Sequence, residues 1–430
     1  MPDLHDLPFM VYADAAGQIF DHPHLRMAAV DGGDPQPVPA DALIPLPRGS
    51  DLFTLPGRSP IGIDPDSGRP VVFDGDDGES PLGVAAFLAP AHTVTYLAAY
   101  RRHDASAPVL PLFAYAAVGF RDDTFWVTGL RVDPDPRQDP WRFDPKRLAA
   151  QVARGVTAAP DNRLVRQLER CALEYGCRAA QNYFIGRHEA PLPTSIACNA
   201  QCVGCISLQP DGSFRASHDR LQVAPTPEEV AAVALGHLER VPDGVVSFGQ
   251  GCEGEPLVMG DLLVEAVRRI RAVTDRGTIN LNSNASEPEV VERLAAAGLD
   301  AMRVSLNSPR PSVYDAYYRP RGYGLEQVEA SIRAMRRRDR FVSINYLVFP
   351  GVNDTDDELE ALESFIVRTG LQMIQWRNLN IDPELYGRSL PDGVLRPGFG
   401  MRALIDHLRR RFPALRHGYF NPPVAAVRRA

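Results

Sequence analysis

Apolar residues change their spacing along the chain, and each change marks a different kind of element. Over residues 1–145 they come in short runs, such as Phe9-Met10-Val11-Tyr12, Val71-Val72-Phe73, Thr93-Val94-Thr95-Tyr96-Leu97 and Phe125-Trp126-Val127. Clusters of Gly, Pro and Asp separate them, among them Asp31-Gly32-Gly33-Asp34-Pro35 and Asp64-Pro65-Asp66-Ser67-Gly68. That punctuation predicts strands and turns, so an N-terminal, mostly β module is expected, with no repeat period and no nucleotide-binding loop. Asp-Pro pairs at Asp133-Pro134, Asp135-Pro136, Asp139-Pro140 and Asp144-Pro145 close it. Proline lacks a backbone donor and restricts the residue before it, so such a stretch sustains neither helix nor central strand.

Over 146–190 the spacing turns helical. Leu164, Leu168, Cys171 and Tyr175 recur at intervals of three or four, which predicts a helical connector with Cys171 on its core face and Cys177 as a plain thiol. From 191 to 395 strand-like runs alternate with helices. The runs are Thr194–Ile196, Val245–Phe248, Thr278–Leu281, Ala301–Leu306, Phe341–Val348 and Gln372–Trp376. Thr226-Pro227-Glu228-Glu229 combines a capping box with proline at the first helical position, and Ser286 with Glu289 and Thr355 with Glu358 repeat the box. Gly298 and Gly370 stand where C-terminal caps are expected. Six alternating units imply a parallel sheet with right-handed crossovers. A C-terminal helix and tail are expected over 396–430.

Composition adds bounds. At 430 residues the chain is long enough for two or three domains. Neither a charged-then-apolar leader nor an apolar run of about 18 or more residues is present, so no membrane segment is expected. Six cysteines are too few and too unevenly placed for a disulfide framework, and a cytoplasmic location is expected. The net charge of −8 argues against a polyphosphate partner, although an acidic protein can carry a basic channel.

Half of those cysteines fall in Cys198-Asn199-Ala200-Gln201-Cys202-Val203-Gly204-Cys205. Thiolates crowded on one loop can converge on a soft metal or an iron–sulfur cluster. A closed structural zinc site or four-iron cluster takes four protein ligands, so three leave a position open unless a residue such as His218 supplies the fourth. After the second strand come Gly249-Gln250-Gly251-Cys252-Glu253-Gly254-Glu255-Pro256, where glycines permit close backbone approach and Glu255 can accept from an ammonium group. The third and fourth strands end in Asn282-Ser283-Asn284 and Ser305-Leu306-Asn307-Ser308, polar tips suited to hydroxyls and a carboxylate.

The C-x3-C-x2-C loop resembles that of the radical S-adenosylmethionine (SAM) superfamily, and the Gly254-Glu255-Pro256 triplet one βα unit later resembles its SAM-binding segment. The resemblance covers residues 191 to about 390. It implies an α/β fold, a partial (β/α)6 TIM-like barrel. It also implies a [4Fe–4S] cluster on Cys198, Cys202 and Cys205 whose remaining iron is chelated by SAM. Gly254, Glu255, Ser283, Ser305, Asn307 and Asn378 are the implied SAM contacts. The implied activity is reductive cleavage of SAM to a 5′-deoxyadenosyl radical that abstracts hydrogen from a substrate, with an electron donor such as flavodoxin or ferredoxin. The substrate stays open: a peptide, a small molecule, a lipid precursor or RNA. The alternative from another class is a non-catalytic iron–sulfur or zinc module that binds a partner or senses redox state.

Other features refine these expectations. Val348-Phe349-Pro350-Gly351-Val352-Asn353-Asp354 resembles a superfamily turn that often lies beside adenine. Trp376-Arg377-Asn378-Leu379-Asn380 and Tyr386-Gly387-Arg388-Ser389, taken with Gly254-Glu255-Pro256-Leu257 and Ser305-Leu306-Asn307, are similar to the radical SAM enzymes that methylate adenine in RNA, an RNA-modifying alternative. Gly204 replaces the aromatic residue that many members carry before the third cysteine. No cysteine follows Cys252, so the two-thiol methylation mechanism is not supported, nor is an extension with additional clusters. Cys252 stands in the mouth loop either as a lining residue or as a catalytic thiol, and Glu253 as a general base or a surface acid. Arg333, Arg336, Arg337, Arg338 and Arg340 are expected to form a solvated face.

Overall fold

The computed structural model describes residues 3–75, 80–209 and 214–429. Two compact units emerge, each built from separate segments of chain. One comprises Met1–Pro134, Leu347–Glu363 and Trp376–Pro413; the other comprises Asp135–Tyr346, Ser364–Gln375 and Ala414–Ala430.

In the first unit the short apolar runs pair as an antiparallel sheet. Along its main path lie Tyr100–Arg102, Arg58–Ile63, Ile19–Val30, Phe9–Ala13, Val118–Arg121, Thr124–Arg131 and Leu43–Pro45, in that order. The expectation of a β module holds. The segment after Trp376 packs with it through a buried charge. Arg58 is fully buried, and its guanidinium donates to the Pro56 and Pro108 carbonyls and to the carboxylates of Asp382 and Glu384. A buried cation persists only when paired and hydrogen-bonded in this way. Asn378 belongs to the same unit. Its Oδ1 accepts from the Val94 N–H at 2.9 Å and its Nδ2 donates to the His92 carbonyl at 3.1 Å. Both ends of the amide are therefore engaged by the β module.

The second unit holds the helical connector, Pro145–Ala158, Arg163–Leu173 and Arg178–Ile185, and a parallel sheet, apart from residues 347–348 and 376–378 at the ends of two strands. Its seven strands, in spatial and sequence order, are Glu189–Pro191, Val245–Phe248, Thr278–Ser283, Ala301–Leu306, Phe341–Val348, Met373–Asn378 and Arg416–Gly418. Successive residues of a strand point their side chains to opposite faces of the sheet. One face is apolar, with Val246, Ile279, Leu281, Met302, Val304, Val342 and Ile344 buried. Apolar residues of the intervening helices, including Val230, Leu238, Leu263, Val267 and Ile270, are buried as well. The alternate positions are Ser247, Asn280, Asn282, Arg303, Ser305, Ser343, Asn345 and Gln375. They form a hydrogen-bonded network: Asn280 donates to Ser247 and Asn282, and Ser247 donates to Glu189. Gln375 donates to Ser343 and Asn421, while Asn421 from the tail donates to Glu189 and Asn282. Such a network is tolerated where its members satisfy one another, as Ser247, Asn280, Asn282, Gln375 and Asn421 do.

Three expectations change. The first strand is Glu189–Pro191, not Thr194–Ile196. Pro191 and Pro193 lack donors, and the Thr194 and Ser195 N–H groups bond to the Glu253 carboxylate rather than to a neighbouring strand. The tail adds a seventh strand, Arg416–Gly418, parallel to Met373–Asn378, so the sheet exceeds the six units expected. Ser286 does not cap the helix Pro288–Ala297, because its hydroxyl accepts from the Asn199 amide instead. The Thr226 capping box forms as expected, and Gly298 caps its helix in the left-handed region at φ 113°. The arginine run is tied to acids on its own unit: Arg333 to Glu329, Arg337 and Arg338 to Glu292, and Arg340 to Asp300.

Candidate functional site

The cysteine loop follows the first strand and is held in shape by backbone bonds to a distant helix end. The Gln201 N–H donates to the Tyr318 carbonyl and the Val203 N–H to that of Tyr317. The Arg321 N–H donates to the Asn199 carbonyl. Asn199 reaches sideways as well, giving a hydrogen bond to Ser286 and taking one from the Asn284 amide. Residues of the third strand's tip thereby brace the loop.

Cys198, Cys202 and Cys205 are free and half-buried. Burial pushes the Cys202 thiol well above its ordinary value, with the two neighbouring cysteines adding to the effect, and it raises Cys198 too. Cys198 and Cys202 therefore start out protonated, and a metal that takes thiolates must displace those protons. Among the described residues the only trio of potential ligand atoms lying within 4.8 Å of one another is His24, Asp64 and Asp66, on the first unit. His218, the candidate fourth ligand, packs edge-on against Tyr175 with ring centroids 5.0 Å apart.

The loop after the second strand is stitched directly to the chain entering Cys198. The Gly254 N–H donates to the Ser195 carbonyl and the Glu255 N–H to that of Ala197, each at 2.9 Å. A Cβ on Gly254 would stand 1.9 Å from the Ala197 oxygen. Glycine is required there by this close approach of two backbones. Two carboxylates flank it. Glu253 is neither a surface acid nor open to substrate. Its Oε2 accepts from the Thr194 and Ser195 N–H groups and the Thr194 hydroxyl, and its Oε1 from the Gly249 and Gln250 N–H groups. It clamps the chain before the cysteine loop to the end of the second strand. Glu255 Oε1 accepts from the Ser283 hydroxyl at 2.6 Å and the Leu257 N–H at 3.0 Å, and Oε2 from the Asn284 N–H at 2.8 Å. This binds the Gly254-Glu255-Pro256 turn to the third strand's tip.

Burial raises both carboxyls from 4.5 to about 7, against the lowering effect of their hydrogen bonds. An acid whose folded pKa is raised holds its proton more tightly when folded. Its contribution to stability is complete below the unfolded value of 4.5 and is lost as pH rises through 7. In denaturant titrations of the ligand-free protein, Glu253→Gln is expected to flatten this decline, because the amide carries no charge at any pH. An unaltered pH slope would show that Glu253 does not titrate in that window.

The remaining candidates divide. Ser305 is half-buried and lies in register with Asn345 on the next strand. The Asn345 Oδ1 is buried without a partner among the described residues, which makes it a polar contact that the sequence reading missed. Asn307 donates to the Val313 carbonyl, at the start of the helix Pro311–Tyr318. Asn378 is engaged by His92 and Val94, as described above. The turn ending at Asp354 lies in the first unit, where the Gly351 N–H donates to the Asp354 carboxylate. Cys252 corrects the expectation of a mouth-lining thiol. It is buried, with its sulfur 3.5 Å from that of Cys171, itself a core residue. Burial and the neighbouring thiol keep Cys252 protonated, which removes its nucleophilic form.

Residues 192–365 match the family model described as the Radical SAM superfamily. The probable GTP 3′,8-cyclase of Thermococcus kodakarensis is 35% identical over 129 residues, covering 28% of this chain and 38% of that protein. The GTP 3′,8-cyclase of Cyanothece sp. is 32% identical over 169 residues, covering 38% and 49%. The FeMo cofactor biosynthesis protein NifB of Azotobacter vinelandii is 24% identical over 218 residues, covering 48% and 42%. The chain thus spans less than half the length of each of these curated relatives. None of its described helices is long and apolar enough to cross a membrane. The three free thiols stand on a braced loop after the first strand of a parallel sheet, within the residues 192–365 that match the Radical SAM superfamily model.

Proposed function

We propose that the chain is a radical SAM enzyme, holding one [4Fe–4S] cluster on Cys198, Cys202 and Cys205 with SAM beside it. The observation that carries this reading is the cysteine loop: three free thiols on a loop braced by Asn199, Tyr317 and Tyr318. The chemistry supplied there would be one-electron reduction of the SAM sulfonium, breaking its S–C5′ bond to release methionine and a 5′-deoxyadenosyl radical that would take a hydrogen atom from a substrate.

The chain's own residues bind and orient. Glu255 presents a buried carboxylate for the SAM ammonium, and Ser283 holds it by donating to Oε1. Ser305 and Asn345 offer a hydroxyl and a buried amide oxygen to polar groups of the ligand. Glu253 keeps the two loops together. Asn307 and Asn378 also bond within the chain, at a helix start and in the β module. The electron comes from a low-potential donor such as flavodoxin or ferredoxin. The substrate is a peptide, small molecule, lipid precursor or RNA; two of the relatives above carry GTP in their names, which puts a purine nucleotide among the small molecules to try first.

Anaerobic reconstitution followed by SAM and a chemical reductant is the test. Four irons per chain and formation of 5′-deoxyadenosine are expected. A chain that takes up zinc alone, or holds iron without cleaving SAM, would favour the non-catalytic module.

A further inference from the structure

Arg220 is a charge that the proposed function leaves unused. This half-buried arginine has no carboxylate within 4.0 Å of its guanidinium among the described residues. Its Nη2 instead lies 3.6 Å from the sulfur of Cys205. The head is aimed there by a fixed acceptor. Arg220 Nε and Nη2 each donate to the Ser207 hydroxyl oxygen at 3.2 Å, and that hydroxyl donates its own proton to the Glu253 carbonyl at 3.1 Å. Ser207 is buried, and its oxygen is itself 3.6 Å from the Cys205 sulfur. The Gln222 amide donates to the Arg220 carbonyl, which fixes the backbone below. A cation with no carboxylate partner among the described residues is thus held against one thiol of the trio by a chain of bonds running back to the loop clamp.

We propose that Arg220 is a positioning residue for electron entry, raising the reduction potential of the cluster through the Cys205 sulfur, with Ser207 as the group that aims it. This deepens the function proposed above and rests on its cluster assignment. The step is a one-electron reduction by a low-potential donor, in which no bond forms or breaks. The cluster gains one negative charge, and a fixed positive charge beside a ligand sulfur favours the more negative state. Hydrogen bonds to cluster sulfurs act in the same direction. A guanidinium suits this position because it stays charged at any working pH and presents several donors in a rigid fork.

The experiment is a mediated redox titration of the reconstituted full chain, followed by the electron paramagnetic resonance of the reduced cluster, with no SAM turnover involved. Arg220→Gln keeps a donor and removes the charge, and at fixed potential its reduced-to-oxidised ratio should fall about tenfold, a downward shift of about 59 mV for one electron. Arg220→Lys should restore most of the shift. Ser207→Ala, which keeps the charge but releases its aim, should fall between the two. Arg269→Gln removes an exposed arginine bound to Glu228 and Glu265 and should leave the potential unchanged. A wild-type potential in Arg220→Gln would overturn the proposal. If that variant does not hold a cluster, Ser207→Ala decides: a lowered potential supports the proposal and a wild-type one overturns it. A wild-type chain that forms no cluster would instead refute the proposed function.

Discussion

Replacement of any one of Cys198, Cys202 and Cys205 by alanine is expected to abolish the iron–sulfur absorbance after anaerobic reconstitution. The effect is all-or-none because three thiolates are the minimum that keeps a cluster on the chain while leaving one iron open. No fourth thiol can substitute. Cys252 and Cys171 face each other within the core at 3.5 Å, and Cys177 lies on the helical connector. Cys171→Ala, Cys177→Ala and Cys252→Ala should therefore retain the full cluster signal, with a modest loss of stability from the small cavity left behind. Iron and sulfide analysis on all six variants checks this. A normal cluster in Cys202→Ala would remove the basis of the reading, and loss of the cluster in Cys252→Ala would make that residue a ligand.

The second large effect is expected at Glu255. If its carboxylate meets the SAM ammonium, truncation removes a charge-assisted hydrogen bond, typically worth about 1.5–3 kcal/mol. SAM affinity in Glu255→Ala should then fall roughly ten- to a hundredfold. Truncation also frees the Ser283 hydroxyl and the Asn284 N–H, so Glu255→Gln is the cleaner variant. It keeps an acceptor of the same shape and loses only the charge. The raised pKa of about 7 adds a second signature. A protonated carboxyl cannot pair with an ammonium, so SAM affinity should rise with pH through 7 in the wild type and stay flat in Glu255→Gln. Calorimetry across that range tests both. Wild-type affinity in Glu255→Ala would place the ammonium elsewhere.

Local pattern carried much of this architecture. Strands at Val245–Phe248, Ala301–Leu306 and Phe341–Val348 have the bounds their β-branched and aromatic runs announced, and the Thr226 box starts a helix where its residues require. These signals are local: hydrogen bonds and side-chain spacing within a few residues decide them. The alternation of polar residues along the strands was equally legible. Its meaning as an internal network depended on Asn421, a tail residue whose partners lie on other strands.

The cysteine trio, the Gly254-Glu255-Pro256 turn and the βα register followed from residue type and spacing, because ligand chemistry and backbone freedom belong to single residues and short segments. Burial and long-range pairing do not. Glu253 became a clamp, and Cys252 a core thiol, because folding set backbone N–H groups around one and Cys171 beside the other. Asn378 was drawn to the β module by His92 and Val94, and the first strand moved to Glu189–Pro191 because the donors of Thr194 and Ser195 found a buried carboxylate. In each case the deciding cost is that of leaving a buried polar group unsatisfied, and which partner meets it depends on segments far apart in the chain.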